Sequence, residues 1–99
     1  MPSTGCPAVL KALSDETRWR IVQMLLKNER ANVNELSEKL KVTQPNISKH
    51  LRILREAGVV VSEKEGTTVW CRVEPAIRQQ LRGGGKALDL GCCSFRFDR

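Results

Sequence analysis

Histidine occurs once in this 99-residue chain, at His50. With no second domain to build a cleft, one imidazole leaves little from which to assemble an acid/base or nucleophile dyad, so the chain is not expected to be an enzyme. Cys-x-x-Cys spacing is missing as well, which removes a simple thiol reductase. No stretch approaches the ~18 apolar residues of a membrane span, and residues 1–7, MPSTGCP, lack the basic start and apolar run of a secretory signal. A cytoplasmic protein with no membrane partner is therefore expected. Neither a low-complexity tract nor an internal repeat occurs. In a reducing compartment the four cysteines, Cys6, Cys71, Cys92 and Cys93, are expected to be free thiols or metal ligands and not a disulfide framework.

What is present is basic. Seventeen Lys and Arg stand against eleven Asp and Glu, for a formal net charge of +6 and a sequence pI near 9.6. That balance favours a polyanionic partner. A chain of this length buries only about 60–65% of the surface its unfolded form exposes, so self-association would add stability.

The hydrophobic period is helical through the first half. Residues 7–13 read as a short helix with Pro7 in its first turn. Ser14 is a good N-cap for a second helix over 15–27, with Asp15 and Glu16 complementing its dipole and Trp19, Val22, Leu25 and Leu26 facing inward. Asn32 and Glu35 form a capping pair for a third helix ending near Leu40, with Leu36 and Leu40 as its buried ridge. After the turn at 41–43, Thr43 caps a fourth helix to Ala57, Pro45 lies in its first turn and Gly58 terminates it. Ile47, Leu51 and Leu54 make that helix's apolar stripe.

Beyond Gly58 the period shortens. Residues 59–63 and 67–73 are β-branched, partly alternating runs joined across 64–66, a hairpin in which Val69, Cys71 and Val73 share one face. Pro75 admits a last helix over 76–82 before Gly83-Gly84-Gly85 interrupts it. The tail then alternates as one strand with an irregularity at Gly91-Cys92. Two units follow: a domain over 1–82, and a glycine-rich linker with a cysteine-containing tail over 83–99.

Two short helices separated by a three-residue turn form a helix-turn-helix, and a hairpin directly after the second makes a wing. The fold class is mainly α with a β-hairpin wing, a winged helix-turn-helix. Opposite the apolar stripe of the fourth helix lie Gln44, Ser48, Arg52 and Arg55, flanked by Asn46 and Lys49. Gln and Asn can pair bidentately with adenine and Arg with guanine. Thr43, Ser48 and Lys49 can hold phosphates at the helix N-terminus, where Pro45 also sits. Lys64, Thr67 and Thr68 at the wing suit the DNA backbone, adding affinity and salt dependence more than sequence reading.

The segments ALSDETRWRIVQMLL, NELSEKLKVTQPNISKHLRILREAGVV and KEGTTVWCRV resemble the ArsR/SmtB family of winged-helix repressors, from about residue 10 to 73. The resemblance implies a homodimer built from the first and last helices. It implies an inverted-repeat operator in double-stranded DNA, often that of the protein's own operon, and release of that operator on binding an inducer. It also places His50 on the reading helix, in a structural or phosphate-contacting role and not as a metal ligand.

Metalloid-sensing members of that family carry a Cys-x-Cys type motif just before the reading helix, where this chain has Asn32 and Asn34 in NVNEL. The His/Asp/Glu-rich last helix of zinc- and nickel-sensing members is absent too. The soft-ligand pair here is Cys92-Cys93. Adjacent Cα atoms lie ~3.8 Å apart, too close for an ordinary disulfide, but Gly91 permits a turn that brings both sulfurs to one ion. Thiolates select trivalent arsenic or antimony, with zinc, cadmium or lead behind them. Cys6 is the expected third ligand and Cys71 a packing residue. No further cofactor is required. Two alternatives stay open: the thiols as redox or persulfide sensors, and the winged helix as a protein-interaction module.

Overall fold

The computed structural model describes residues 6–82, 87–89 and 94–96, with side chains over 8–79. Five helices and two small sheets follow one another as α1 Cys6–Leu13, α2 Glu16–Asn28, α3 Val33–Leu40, α4 Gln44–Glu56, β1 Val60–Glu65, β2 Thr68–Val73, α5 Pro75–Gln80, β3 Leu81–Arg82, β4 Ala87–Asp89 and β5 Ser94–Arg96. One core joins the five helices and the first hairpin. Ile21, Val22 and Leu25 of α2, Leu36 of α3, Ile47, Leu51 and Leu54 of α4, and Val59, Val60, Cys71 and Val73 around the hairpin are buried together. Each large aliphatic side chain so placed contributes about 1.5–3 kcal/mol of transfer free energy.

Local chemistry sets the helix ends. Asp15, in extended backbone, accepts the amide of Arg18 at 3.0 Å and is the N-cap of α2. Ser14 was expected in that role, but its hydroxyl donates back to the Lys11 carbonyl at 2.8 Å and closes α1 instead. Asn32 and Glu35 form the full reciprocal capping box of α3. Lys41 ends α3 in the left-handed region at φ 58°, and the Ser37 hydroxyl donates to the Val42 carbonyl at 2.6 Å, bracing the turn into α4. Gly58, at φ 81°, ends α4 in a Schellman motif: its amide reaches the Arg55 carbonyl at 3.0 Å and the Val59 amide reaches Leu54 at 2.9 Å.

The hairpin is tighter than its sequence suggests. β1 and β2 pair antiparallel from Val60 with Val73 to Glu65 with Thr68, leaving only Gly66 and Thr67 as the turn. Gly66 has φ 62°, as a two-residue loop requires of its first central residue, so Lys64 lies in β1 opposite Val69 and not in the loop. Cys71 and Val73 are buried on their shared face, but Val69 is 41% exposed because the strand has run past the core by that point. Ala31, between α2 and α3, forms a third rung on β2, exchanging both backbone hydrogen bonds with Cys71 at 3.0 and 2.8 Å.

The end of the chain departs from expectation. The last helix stops at Gln80, two residues short, and the backbone enters β3. The tail holds two strands in place of one, with β4 pairing antiparallel to both β3 and β5. The irregularity expected at Gly91-Cys92 lies outside the described residues.

The Arg18 amide holds the Asp15 carboxyl below the ordinary carboxylate range; partial burial opposes this and the Arg18 charge assists it. A depressed native value means stabilisation that is complete above the unfolded carboxylate value and lost as pH falls through the native one. Asp15→Ala is expected to cost about 1 kcal/mol at neutral pH. Urea unfolding should show that gap closing as the pH falls through the carboxylate range; a gap independent of pH would remove the capping account.

Candidate nucleic-acid interface

The apolar stripe of α4 fixes the helix's rotation. With Ile47, Leu51 and Leu54 buried, the opposite side carries Gln44, Pro45, Asn46, Ser48, Lys49, Arg52 and Arg55, all exposed. Thr43 stands at the N-cap position with its hydroxyl outside the capping role expected of it: the side chain makes no cap hydrogen bond and is exposed, while its carbonyl accepts from Ile47 at 3.0 Å. One helix face thus brings together seven of the eleven residues read from the sequence as DNA-facing: Thr43, Gln44, Pro45, Asn46, Ser48, Lys49 and Arg52.

Two of these have partners that a ligand can displace. Arg52 lies 3.5 Å from Glu56 one turn on, with 74% of its side chain exposed, a pair of the kind worth little in water. Gln44 donates to Asn34 at 2.8 Å on the surface. His50 stands apart: it is half-buried, and its Nδ1 lies 3.2 Å from the Arg18 guanidinium.

The wing supplies three more. Thr67 is in the turn and exposed, Lys64 is exposed near the end of β1, and Thr68, half-buried, opens β2. The same strands carry Glu63 and Glu65, which would repel phosphate. Each faces an arginine: Glu65 meets Arg30 at 3.2 Å, and Glu63 lies 4.0 Å from Arg72. Arg30 also stacks on Trp70 with its guanidinium carbon 4.3 Å from the ring centre.

Local patterning does not reveal Arg30. Its partners are 35 and 40 positions away, and the neighbouring Ala31–Cys71 rung ties this segment to the wing. Arg55, on the exposed side of α4, reaches Ser62 of β1 at 3.5 Å and joins α4 to the wing.

The residues where a metalloid motif would sit fit no metal. Asn32 is committed to the α3 cap and Asn34 to Gln44. Cys71 is buried, with Sγ 3.5 Å from the Ser62 hydroxyl, in keeping with a packing residue. Among the described residues no three His, Cys, Asp or Glu side chains gather. Cys92, Cys93 and the Cys6 side chain lie outside the described residues; the Cys6 backbone opens α1. No described helix is long and apolar enough to cross a membrane.

Helix, tight turn, exposed second helix and a hairpin tied back to the helices define a winged helix-turn-helix. Solved structures agree. The homodimeric winged helix-turn-helix DNA-binding domain of Mb0332 from Mycobacterium bovis shares the fold with a TM-score of 0.70 at 23% identity, over 74% of this chain and 68% of that one. HlyU from Vibrio cholerae N16961 matches with a TM-score of 0.65 at 40% identity, over 69% of this chain and 73% of that one. Residues 15–62 match the family described as bacterial regulatory protein, arsR family. The arsenical resistance operon repressor of Escherichia coli strain K12 is 41% identical over 69 residues, 70% of this chain and 59% of the relative.

The chain belongs to the ArsR family, whose members are transcriptional regulators and not enzymes. It spans between 47% and 66% of the length of curated relatives that it matches.

Removing the Arg30 anchor tests the wing's attachment. Arg30→Ala is expected to lower stability by about 0.5–1 kcal/mol, the scale of an exposed cation–π contact, and to speed amide hydrogen exchange in β1 and β2 more than in α4. Equal protection of the hairpin in both proteins would show that the wing is held without it.

Proposed function

We propose that the chain is a homodimeric, cytoplasmic transcriptional repressor that binds an inverted-repeat operator in double-stranded DNA and releases it when a thiophilic metal or metalloid binds. The observation that carries the DNA reading is the exposed α4 face: Gln44, Asn46 and Arg52 offer base-reading groups on a helix whose opposite side is locked into the core. Thr43, Ser48 and Lys49 beside them suit phosphates at the helix N-terminus. Lys64, Thr67 and Thr68 on the wing would follow the backbone, with Glu63 and Glu65 neutralised by Arg72 and Arg30. The dimer would set two such helices about 34 Å apart, one turn of B-DNA.

The inducer half rests on chemistry and on relatives. Cys92 and Cys93, with Cys6 as third ligand, are the thiols left for a trivalent arsenic or antimony ion once Cys71 is assigned to the core. The Escherichia coli relative is an arsenical resistance operon repressor. A coupling of ~1–3 kcal/mol between inducer and operator would change operator affinity about 5- to 150-fold.

Anisotropy titration of a fragment from upstream of the chain's own gene tests both halves. Arg52→Ala and Asn46→Ala should each weaken binding by about 1–3 kcal/mol and relax specificity, while Lys64→Ala should lower the slope of log affinity on log salt by about 1. Arsenite under reducing conditions should release wild type and spare Cys92→Ser/Cys93→Ser. Binding indifferent to arsenite in both would leave the repressor and discard the metalloid.

A further inference from the structure

Gln44 is the first residue of α4, at the end of a reading helix that reaches base edges. The Thr43 side chain makes no cap hydrogen bond there. What holds the Gln44 side chain comes from the other helix of the pair, where Oδ1 of Asn34 accepts from its Nε2 at 2.8 Å. Both residues are exposed, and an unheld glutamine in such a place is free in all its rotamers.

Asn34 stands on fixed backbone. It is the second residue of α3, between Asn32 and Glu35, whose reciprocal cap closes that turn. Leu36 and Leu40 bury the inner side of α3 in the core. At the far end, Arg20 of α2 donates to the Leu40 carbonyl at 3.2 Å, and the Ser37 hydroxyl donates to the Val42 carbonyl at 2.6 Å. The position of Asn34 relative to the start of α4 is therefore set by contacts that do not involve its own side chain, which leaves that side chain to act on Gln44.

We infer that Asn34 is a positioning residue for base recognition: it holds the Gln44 amide ready for a base edge and so sharpens discrimination at one base pair of the operator. The contact does not use up Gln44. A primary amide has two N–H donors and an oxygen with two lone pairs. Donating one N–H to Asn34 leaves one N–H and both lone pairs, enough for the bidentate pattern of adenine. With the two amides turned the other way, Gln44 would keep two N–H groups and one lone pair, so a two-bond contact is open to it in either sense. The benefit is order established before DNA arrives, since rotamer freedom is lost on folding and not on binding.

The inference rests on the DNA-reading role of α4, and its tests separate the two. Duplexes with single base-pair substitutions in the fragment upstream of the chain's own gene are titrated by anisotropy. The base pair at which Gln44→Ala loses discrimination is the one Gln44 reads. Asn34→Ala is expected to lower discrimination at that base pair by about 2- to 10-fold, the range of one net hydrogen bond, and to leave the other positions unchanged. In a Gln44→Ala background it should change nothing further, because its action passes through Gln44. Asn34→Asp keeps an acceptor for the Gln44 N–H. Its charge should weaken binding to every duplex alike while preserving the discrimination ratio, and it serves as the second variant should Asn34→Ala fold poorly. A uniform loss with Asn34→Ala, or a loss that persists without Gln44, would assign Asn34 a DNA contact of its own and overturn the inference. Sharper discrimination in Asn34→Ala would overturn it as well, and unaltered discrimination in Gln44→Ala would remove it together with the base-reading role of Gln44.

A DNA-independent arm follows the side-chain amides of the full chain by nitrogen-15 relaxation, which reports motion on the picosecond to nanosecond scale. The Gln44 amide is expected to be more ordered than those of the exposed Gln23 and Gln79, and to lose that order in Asn34→Ala. Equal mobility of the three in the wild type would overturn the inference. An ordered Gln44 amide in a chain that binds none of the duplexes would overturn the operator reading while leaving the Asn34–Gln44 clamp.

Discussion

Everything proposed for this chain depends on the rotation of α4 about its own axis. Ile47, Leu51 and Leu54 have no low-energy position except inside the core, and burying them turns Gln44, Asn46, Ser48, Lys49 and Arg52 outward together. Burial of the apolar stripe sets that face. It is the remainder left when the apolar stripe is satisfied, so any change that allowed the helix to roll would alter all five residues at once. The Schellman motif at Gly58 and the Ser37–Val42 bond at the other end fix where the helix starts and stops, which sets its register against α3 and β1.

The wing depends on a second constraint. A two-stranded hairpin alone is marginal in water. Here it gains a third rung at Ala31, a stack of Arg30 on Trp70 and an ion pair from Arg30 to Glu65. The Arg30 contact also pairs Glu65, so docking to the helices and masking of that carboxylate come from one side chain, while Glu63 is paired within the hairpin by Arg72.

The helices and the exposed face were legible because they follow from period and capping chemistry along the chain. The Asn32–Glu35 box, the stop at Gly58 and the Ile47, Leu51, Leu54 stripe all lie within one or two turns. Ser14 and Asp15 were less distinct, since both carry a capping oxygen and only backbone conformation decides which accepts. The turn at Gly66-Thr67 was read one residue too long and as starting two residues early because Lys64 and Glu65 are poor strand formers by type, yet pair in register. Arg30 escaped local reading, since its partners are 35 and 40 positions distant, and so did the contact of Arg18 with His50, 32 positions away, which forms only after packing. The thiols proposed for the inducer rest on residue chemistry alone.

A division of labour follows from this layout. The proposed DNA-reading face and the wing belong with the helical core, whereas the proposed soft-ligand pair belongs to the segment after α5, so inducer and operator need not compete for the same side chains. Coupling between them would have to pass through the placement of α4, which the α1–Arg18–His50 contact helps to hold. The central claim, that the α4 face meets DNA, is tested most directly by mapping amide chemical-shift changes when the chain is titrated with an operator duplex. The account predicts changes concentrated over residues 43–52 and 64–68. Changes confined to the opposite side of the molecule, with α4 unmoved, would contradict it.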